Sequence, residues 1–195
     1  MSELAALAAF SFVSAATPGP NNVMLWASGV QFGLRPTLPH VFGTSIGIGT
    51  MAVAVAAGLG VLITTFPQLE LTLRVIGSLY LLYLAYKIAG ISVVQQSNMA
   101  SPLGLGQATA FQYVNPKAWV FVLAALTAFR PTGLPVVLGS ALMALTMMFV
   151  VVPAAFLWAA GGTVLNRLIS GRQARRILSV ILAVLLAATV AYIWI

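Results

Sequence analysis

The chain has 195 residues, 61% of them hydrophobic and only 6% charged, with a formal net charge of +7. A mean hydropathy of +1.06 excludes a soluble domain of this length, because too little charge remains to cover its surface, and leaves lipid as the solvent. The absence of cysteine excludes disulfides, thiolate metal sites and thiol nucleophiles, and the positive balance reads as loop charge that orients spans rather than as a nucleic-acid surface.

The first apolar stretch runs from Leu4 to about Phe32 and is interrupted by Thr17-Pro18-Gly19-Pro20-Asn21-Asn22. The pieces on either side are too short to cross a bilayer, which takes about 20 residues, but together they suffice. The expectation is one transmembrane helix broken inside the membrane. Pro18 and Pro20 lack N–H groups, so the carbonyls of Ser14 and Ala16 lose their helical partners. Broken backbone at that depth must be buried in protein or line a watered cavity. Asn21 or Asn22 is expected to cap the second half-helix, whose N–H groups and positive dipole end then face the break. Glu3 precedes this stretch, with no basic segment or cleavage site, so it reads as a first span and not as a removed leader.

Five further spans are expected at about 38–64, 70–91, 107–129, 135–164 and 174–195. Pro36 and Pro39 mark the start of the second, and Pro67 separates it from the third. His40 stands alone near the start of the second span, where an interfacial histidine is expected rather than a metal ligand, with a proton-carrying role as the lesser alternative. Gly29-x3-Gly33 and Gly43-x3-Gly47 suit close helix packing. Tyr80, Tyr83 and Tyr86 lie three apart on the third span and suit packing or an interfacial belt beside Lys87. A polar link, Gln95-Gln96-Ser97-Asn98, follows. The fourth span is broken at Asn115-Pro116-Lys117, where Pro116 frees the carbonyl of Gln112. Lys117 lies near the middle of that span, too deep to snorkel out of a core about 30 Å thick. A central lysine costs about 2.5–3.5 kcal/mol on insertion scales and is a functional residue by default. Pro153 frees the carbonyl of Phe149 and marks a hinge in the fifth span, and Gly171-Arg172-Gln173 opens the sixth.

The two breaks belong to a repeat. Pro20 precedes Pro39 by 19 residues and Pro116 precedes Pro135 by the same 19. Arg35-Pro36-Thr37-Leu38-Pro39 and Arg130-Pro131-Thr132-Gly133-Leu134-Pro135 close the two units, with one residue inserted in the second. Three spans per unit make the halves inverted repeats, about 1–97 and 98–195, within a single transmembrane domain over 1–195. With the first loop inside, the inner loops carry Arg35, Lys87, Arg167, Arg172, Arg175 and Arg176 and the outer ones Arg74 and Arg130, which places both termini outside. Five spans, or the opposite orientation, are the alternatives.

The breaks are chemically complementary. Half-helix N–H groups at one and the Lys117 ammonium at the other suit a carboxylate, and the freed carbonyls of Ser14, Ala16 and Gln112 suit an ammonium. No carboxylate lies within a span, since Glu3 and Glu70 sit at span ends. This favours a neutral amino acid or derivative as substrate. No acid–base pair or triad for an enzyme is present, and the spans lack a ligand set for a metal exporter. A passive channel, or an exporter of another small solute or metal ion, is the remaining alternative.

Thr17-Pro18-Gly19-Pro20-Asn21, Asn115-Pro116-Lys117-Ala118 and Gly77-x2-Tyr80-Leu81-x2-Leu84-x2-Lys87 resemble the LysE/RhtB family of amino-acid exporters. The resemblance covers the whole chain in length and span number, and the Asn21-Asn22 doublet is most similar to the cysteine and O-acetylserine exporting branch. It implies a multi-pass carrier of the bacterial inner membrane, driven by the proton gradient and needing no cofactor; a homo-oligomer is compatible with it. Many relatives carry an acid directly after Pro-Gly-Pro, where this chain has Asn21, so the usual proton carrier is in question. The expected site is Thr17, Pro18, Gly19, Pro20, Asn21, Asn22, Asn115, Pro116 and Lys117, with no metal, and alternating access takes place around it.

Overall fold

A computed structural model describes residues 2–60, 65–89, 101–168 and 172–194. All regular structure among these residues is helical. The helices are α1 (Ser2–Ala16), α2 (Pro20–Phe32), α3 (Leu34–Ala54, prolonged by a π turn over Val55–Leu59), α4 (Pro67–Ala89), α5 (Leu105–Val114), α6 (Pro116–Ala128), α7 (Val136–Leu168) and α8 (Arg172–Trp194). The Gln95-Gln96-Ser97-Asn98 link and Gly171 lie outside the described residues, as does the side chain of Lys87.

Both expected breaks are present. α1 stops at Ala16 and α2 starts at Pro20; α5 stops at Val114 and α6 starts at Pro116. Pro20 and Pro116 each occupy the first turn of the half-helix they open, where a missing N–H removes no intrahelical bond. The capping expectation is corrected. Gly19, in extended backbone with φ −177°, is the N-cap of α2, and Asn21 and Asn22 lie inside its first turn.

The second span also starts earlier than expected. α3 begins at Leu34, so Pro36 falls in its first turn and Pro39 inside the helix. Gly33 makes the turn between α2 and α3 at φ +83°, a conformation that favours glycine, and donates its N–H to the Gly29 carbonyl over 3.1 Å. The Thr37 hydroxyl donates to the Gly33 carbonyl over 2.8 Å and shares a 2.9 Å hydrogen bond with the Ser28 hydroxyl, so the turn is tied from both sides.

α7 is the axis of the bundle, packing on α1, α2 and α3; α3 also packs on α5, and α4 pairs with α8. One apolar cluster joins Leu7, Met51, Val122 and Met147 from α1, α3, α6 and α7; a second joins Met24, Leu81, Phe111 and Leu186 from α2, α4, α5 and α8. Glycines set the closest contacts. A Cβ on Gly29 would meet the Ala159 carbonyl, one on Gly162 the Trp26 carbonyl, and one on Gly43 the Leu105 carbonyl. The close-packing expectation therefore holds at Gly29, Gly43 and Gly47, whereas Gly33 is needed for its turn and has nothing within 4 Å.

The outside is apolar. Val137, Phe149 and Val120 are 82, 75 and 70% exposed. Among the described residues, Leu34–Leu59 and Val136–Leu168 are long and apolar enough to cross a bilayer as single helices. Tyr83 and Tyr86 face outward, while Tyr80 packs on Phe111 with ring centres 5.6 Å apart. α7 continues through Pro153 as one helix of 33 residues.

Candidate functional site

The two breaks come together. Lys117, in the first turn of α6, extends its half-buried side chain to the break between α1 and α2. Its ammonium donates to the Thr17 carbonyl over 2.6 Å and lies 3.4 Å from that of Pro18. Gly19 leaves room for this. A Cβ there would stand 2.6 Å from Lys117 Cδ and 3.1 Å from Nζ. The lysine thus finds a carbonyl acceptor in a setting that would otherwise leave its charge unsatisfied.

The freed carbonyls have partners, which corrects the expectation that they stand open for an ammonium. The Thr17 hydroxyl donates to Ser14 O over 2.8 Å, the Trp158 indole to Ala16 O over 3.2 Å, and the Asn115 N–H to Gln112 O over 3.2 Å. Asn22 turns back from α2 and donates to Ala15 O and Thr17 O, each over 2.7 Å. At the second break the Trp119 indole donates to Tyr113 O over 2.8 Å. Each break is therefore braced by side chains, as buried backbone requires.

Asn21 is the hub of a buried polar network that sequence reasoning missed. Its Oδ1 lies 3.0 Å from Gln112 Nε2, 3.2 Å from Thr44 Oγ1 and 3.2 Å from His40 Nε2. Gln112 Oε1 accepts from Asn115 Nδ2 over 3.3 Å, which links the network to the second break. His40 is only 1% exposed, so the interfacial expectation is corrected: α3 carries it inward to α2. His40-x3-Thr44 lies on one helix face together with Gly43 and Gly47, and Gln112 is one turn before Asn115. Those spacings were the available signal.

A cavity of about 50 Å³ lies between these groups. Asn21, Asn22, Asn115 and Lys117 line it, joined by Ser14, Thr44 and Gln112 and by apolar residues that include Phe121 and Val151. Thr17, Pro18, Gly19, Pro20 and Pro116 shape the backbone around it but do not line it. Its size admits a few waters. Among the described residues Lys117 is its one charged lining residue, and Asn115 Oδ1 is a buried acceptor with no partner. The wall thus presents a cation and a free acceptor to the same small space. Among the described residues no group of three or more His, Cys, Asp or Glu side chains is placed to hold a metal ion.

A family model described as LysE type translocator matches residues 12–193. A "Cysteine/O-acetylserine efflux protein" of Escherichia coli (strain K12) is 30% identical over 188 residues, 94% of this chain and 93% of the relative. The protein of the same description from Klebsiella pneumoniae subsp. pneumoniae is 32% identical over 127 residues, 65% of this chain and 64% of the relative. No solved structure matches.

Proposed function

Because this chain belongs to the LysE type translocator family, and so is an integral membrane translocator and not an enzyme, we propose that it exports neutral amino acids or their derivatives as a secondary carrier. O-acetylserine and cysteine are the first substrates to try, since the relatives are described as efflux proteins for them. The observation that carries the reading is the meeting of both helix breaks at one cavity through Lys117 and Thr17. A cation beside a free amide oxygen suits the two ends of a zwitterion. The substrate carboxylate takes the Lys117 ammonium with the N-terminal end of α2, and its ammonium takes Asn115 Oδ1. Among the described residues no acid lines the cavity, and this supports an uncharged substrate side chain.

In this reading the chain is six spans in two inverted three-helix repeats: α1 with α2, α3 and α4 in one, and α5 with α6, α7 and α8 in the other. The equivalent first-turn positions of Pro20 and Pro116 support it. One repeat rocks against the other in the bacterial inner membrane, the proton gradient drives the cycle, and both termini face the periplasm. The cavity must widen to take a substrate, so the compact form is one stage of that cycle.

The test is flux in proteoliposomes loaded with O-acetylserine, cysteine and a panel of neutral and basic amino acids. Saturable flux of a neutral subset is the expected result. Flux that rises linearly with concentration would show a channel, and its absence across the whole panel would refute the substrate class.

A further inference from the structure

We propose that His40 is the proton-exchanging residue of this carrier, binding and releasing its proton at Nδ1 while Nε2 stays bonded to Asn21. The inference rests on the proton-driven export proposed above.

His40 is the single histidine of the chain. It sits between two cavities. Its Nε2 is bonded to Asn21, which lines the central one. The imidazole itself lines a second cavity of about 60 Å³, formed with Ser28 and Gln31 of α2, Leu84 of α4 and the segment 101–103 ahead of α5. The histidine is therefore in the wall that separates the central site from a second, partly polar space.

The hydrogen bonds fix its chemistry. Asn21 Oδ1 has no proton to give and already accepts from Gln112 Nε2, so Nε2 of His40 is the donor in that pair. The tautomer follows from the network. A neutral ring that donates from Nε2 has its lone pair on Nδ1. That atom is buried and has no partner among the described residues. It can take a proton from hydronium, leaving water and an imidazolium, without breaking the Nε2 contact. Among the described residues no acid lines either cavity, Lys117 is the titratable residue that lines the central one, and His40 is the titratable residue that lines the second. On its own helix, Arg35 lies exposed in the first turn. Glu3, at the start of α1, lines neither cavity.

Protonation changes the central site directly. The bond to Asn21 becomes charge-assisted and shorter, and a second positive charge joins Lys117 around the cavity. An incoming substrate ammonium is then disfavoured at the Asn21–Asn115 wall. Proton and substrate compete, which is the condition for exchanging one for the other.

The experiment uses purified full-length protein in proteoliposomes with O-acetylserine as the probe and the membrane potential clamped at zero. Exchange of labelled for unlabelled probe at equal pH is compared with accumulation driven by a gradient of one pH unit. With one proton per substrate the limiting ratio is about tenfold. His40→Gln keeps an N–H donor for Asn21 but cannot titrate. It is expected to retain exchange and to accumulate to a ratio of about one. Accumulation by the variant to the wild-type ratio overturns the inference while export stands. Loss of exchange in a variant that melts like wild type also overturns it, because the role is then in positioning. Absence of exchange in wild type overturns the export reading and this inference with it. A second readout needs no variant. The ring nitrogens of a single histidine give one titration by ¹⁵N NMR, and its midpoint is expected to fall when O-acetylserine is added to saturation. An unmoved midpoint overturns the proposed competition.

Discussion

The ammonium of Lys117 stands 2.6 Å from the carbonyl oxygen of Thr17, 100 residues away in the chain. One contact thus closes the two helix breaks on each other and fixes the position of the one charge that the described residues place in the central cavity wall.

Replacing that charge is the sharpest test of the site. Lys117→Met removes the group assigned to the substrate carboxylate. A hydrogen bond to a charged group is worth about 1.5–3 kcal/mol, so apparent affinity is expected to fall about 10- to 100-fold. The check is efflux from loaded cells at matched membrane expression. Efflux equal to wild type would reduce Lys117 to a packing residue.

Gly19→Ala acts on the same lysine indirectly. Its extended backbone admits any residue, but the new Cβ would stand 2.6 Å from Lys117 Cδ. Transport is expected to drop with little change in melting temperature. In a Lys117→Ala background the added cost should vanish, and a double-mutant cycle in transport rate reads that coupling.

Asn21 separates a polar requirement from a size requirement. Asn21→Leu strands the His40 donor, while Thr44 and Gln112 keep the carbonyls of His40 and Ala108, and it is expected to destabilise by about 1–3 kcal/mol for the donor left unsatisfied. Asn21→Asp still accepts from all three and is expected to fold. Thermal melts in detergent compare them, and equal melting of the two variants would contradict the network.

Glycines divide by what surrounds them. Gly29→Ala pushes a methyl into the Ala159 carbonyl where α2 crosses α7, with an expected loss of about 1–3 kcal/mol. Gly106→Ala, in helix α5 with nothing within 4 Å, is expected to be neutral or to gain about 0.5–1 kcal/mol. In thermal melts only Gly29→Ala should fall below the wild type.

The breaks could be read from the sequence because proline and glycine act locally: Pro18-Gly19-Pro20 removes two N–H groups around a glycine, and Pro116 turns Asn115 away from helix, whereas the lone Pro39 and Pro153 are carried inside α3 and α7. The central lysine could be read because its cost in lipid does not depend on neighbours. What could not be read was which partner answers each polar group. Asparagine is a good helix cap, yet Gly19 holds that position because Lys117 needs the space, and Asn22 is drawn back to the carbonyls of Ala15 and Thr17. His40 looked interfacial because its burial depends on α2 and on the 101–103 segment, which are distant from it in sequence.

The bracing of the first break has a consequence for biogenesis. Ala16 O is capped by Trp158, 142 residues later, whereas Thr17 O is held by Asn22 as well as by Lys117. When the ribosome has delivered only α1 and α2, Asn22 is in place but Trp158 has yet to be synthesised. The nascent first span must then keep Ala16 O against water or the insertion machinery, since hydrocarbon cannot satisfy this carbonyl. Its final seat in the bilayer is reached only after α7 has emerged, so a truncated chain ending before Trp158 should be handed to quality-control proteases and not persist as a half-carrier.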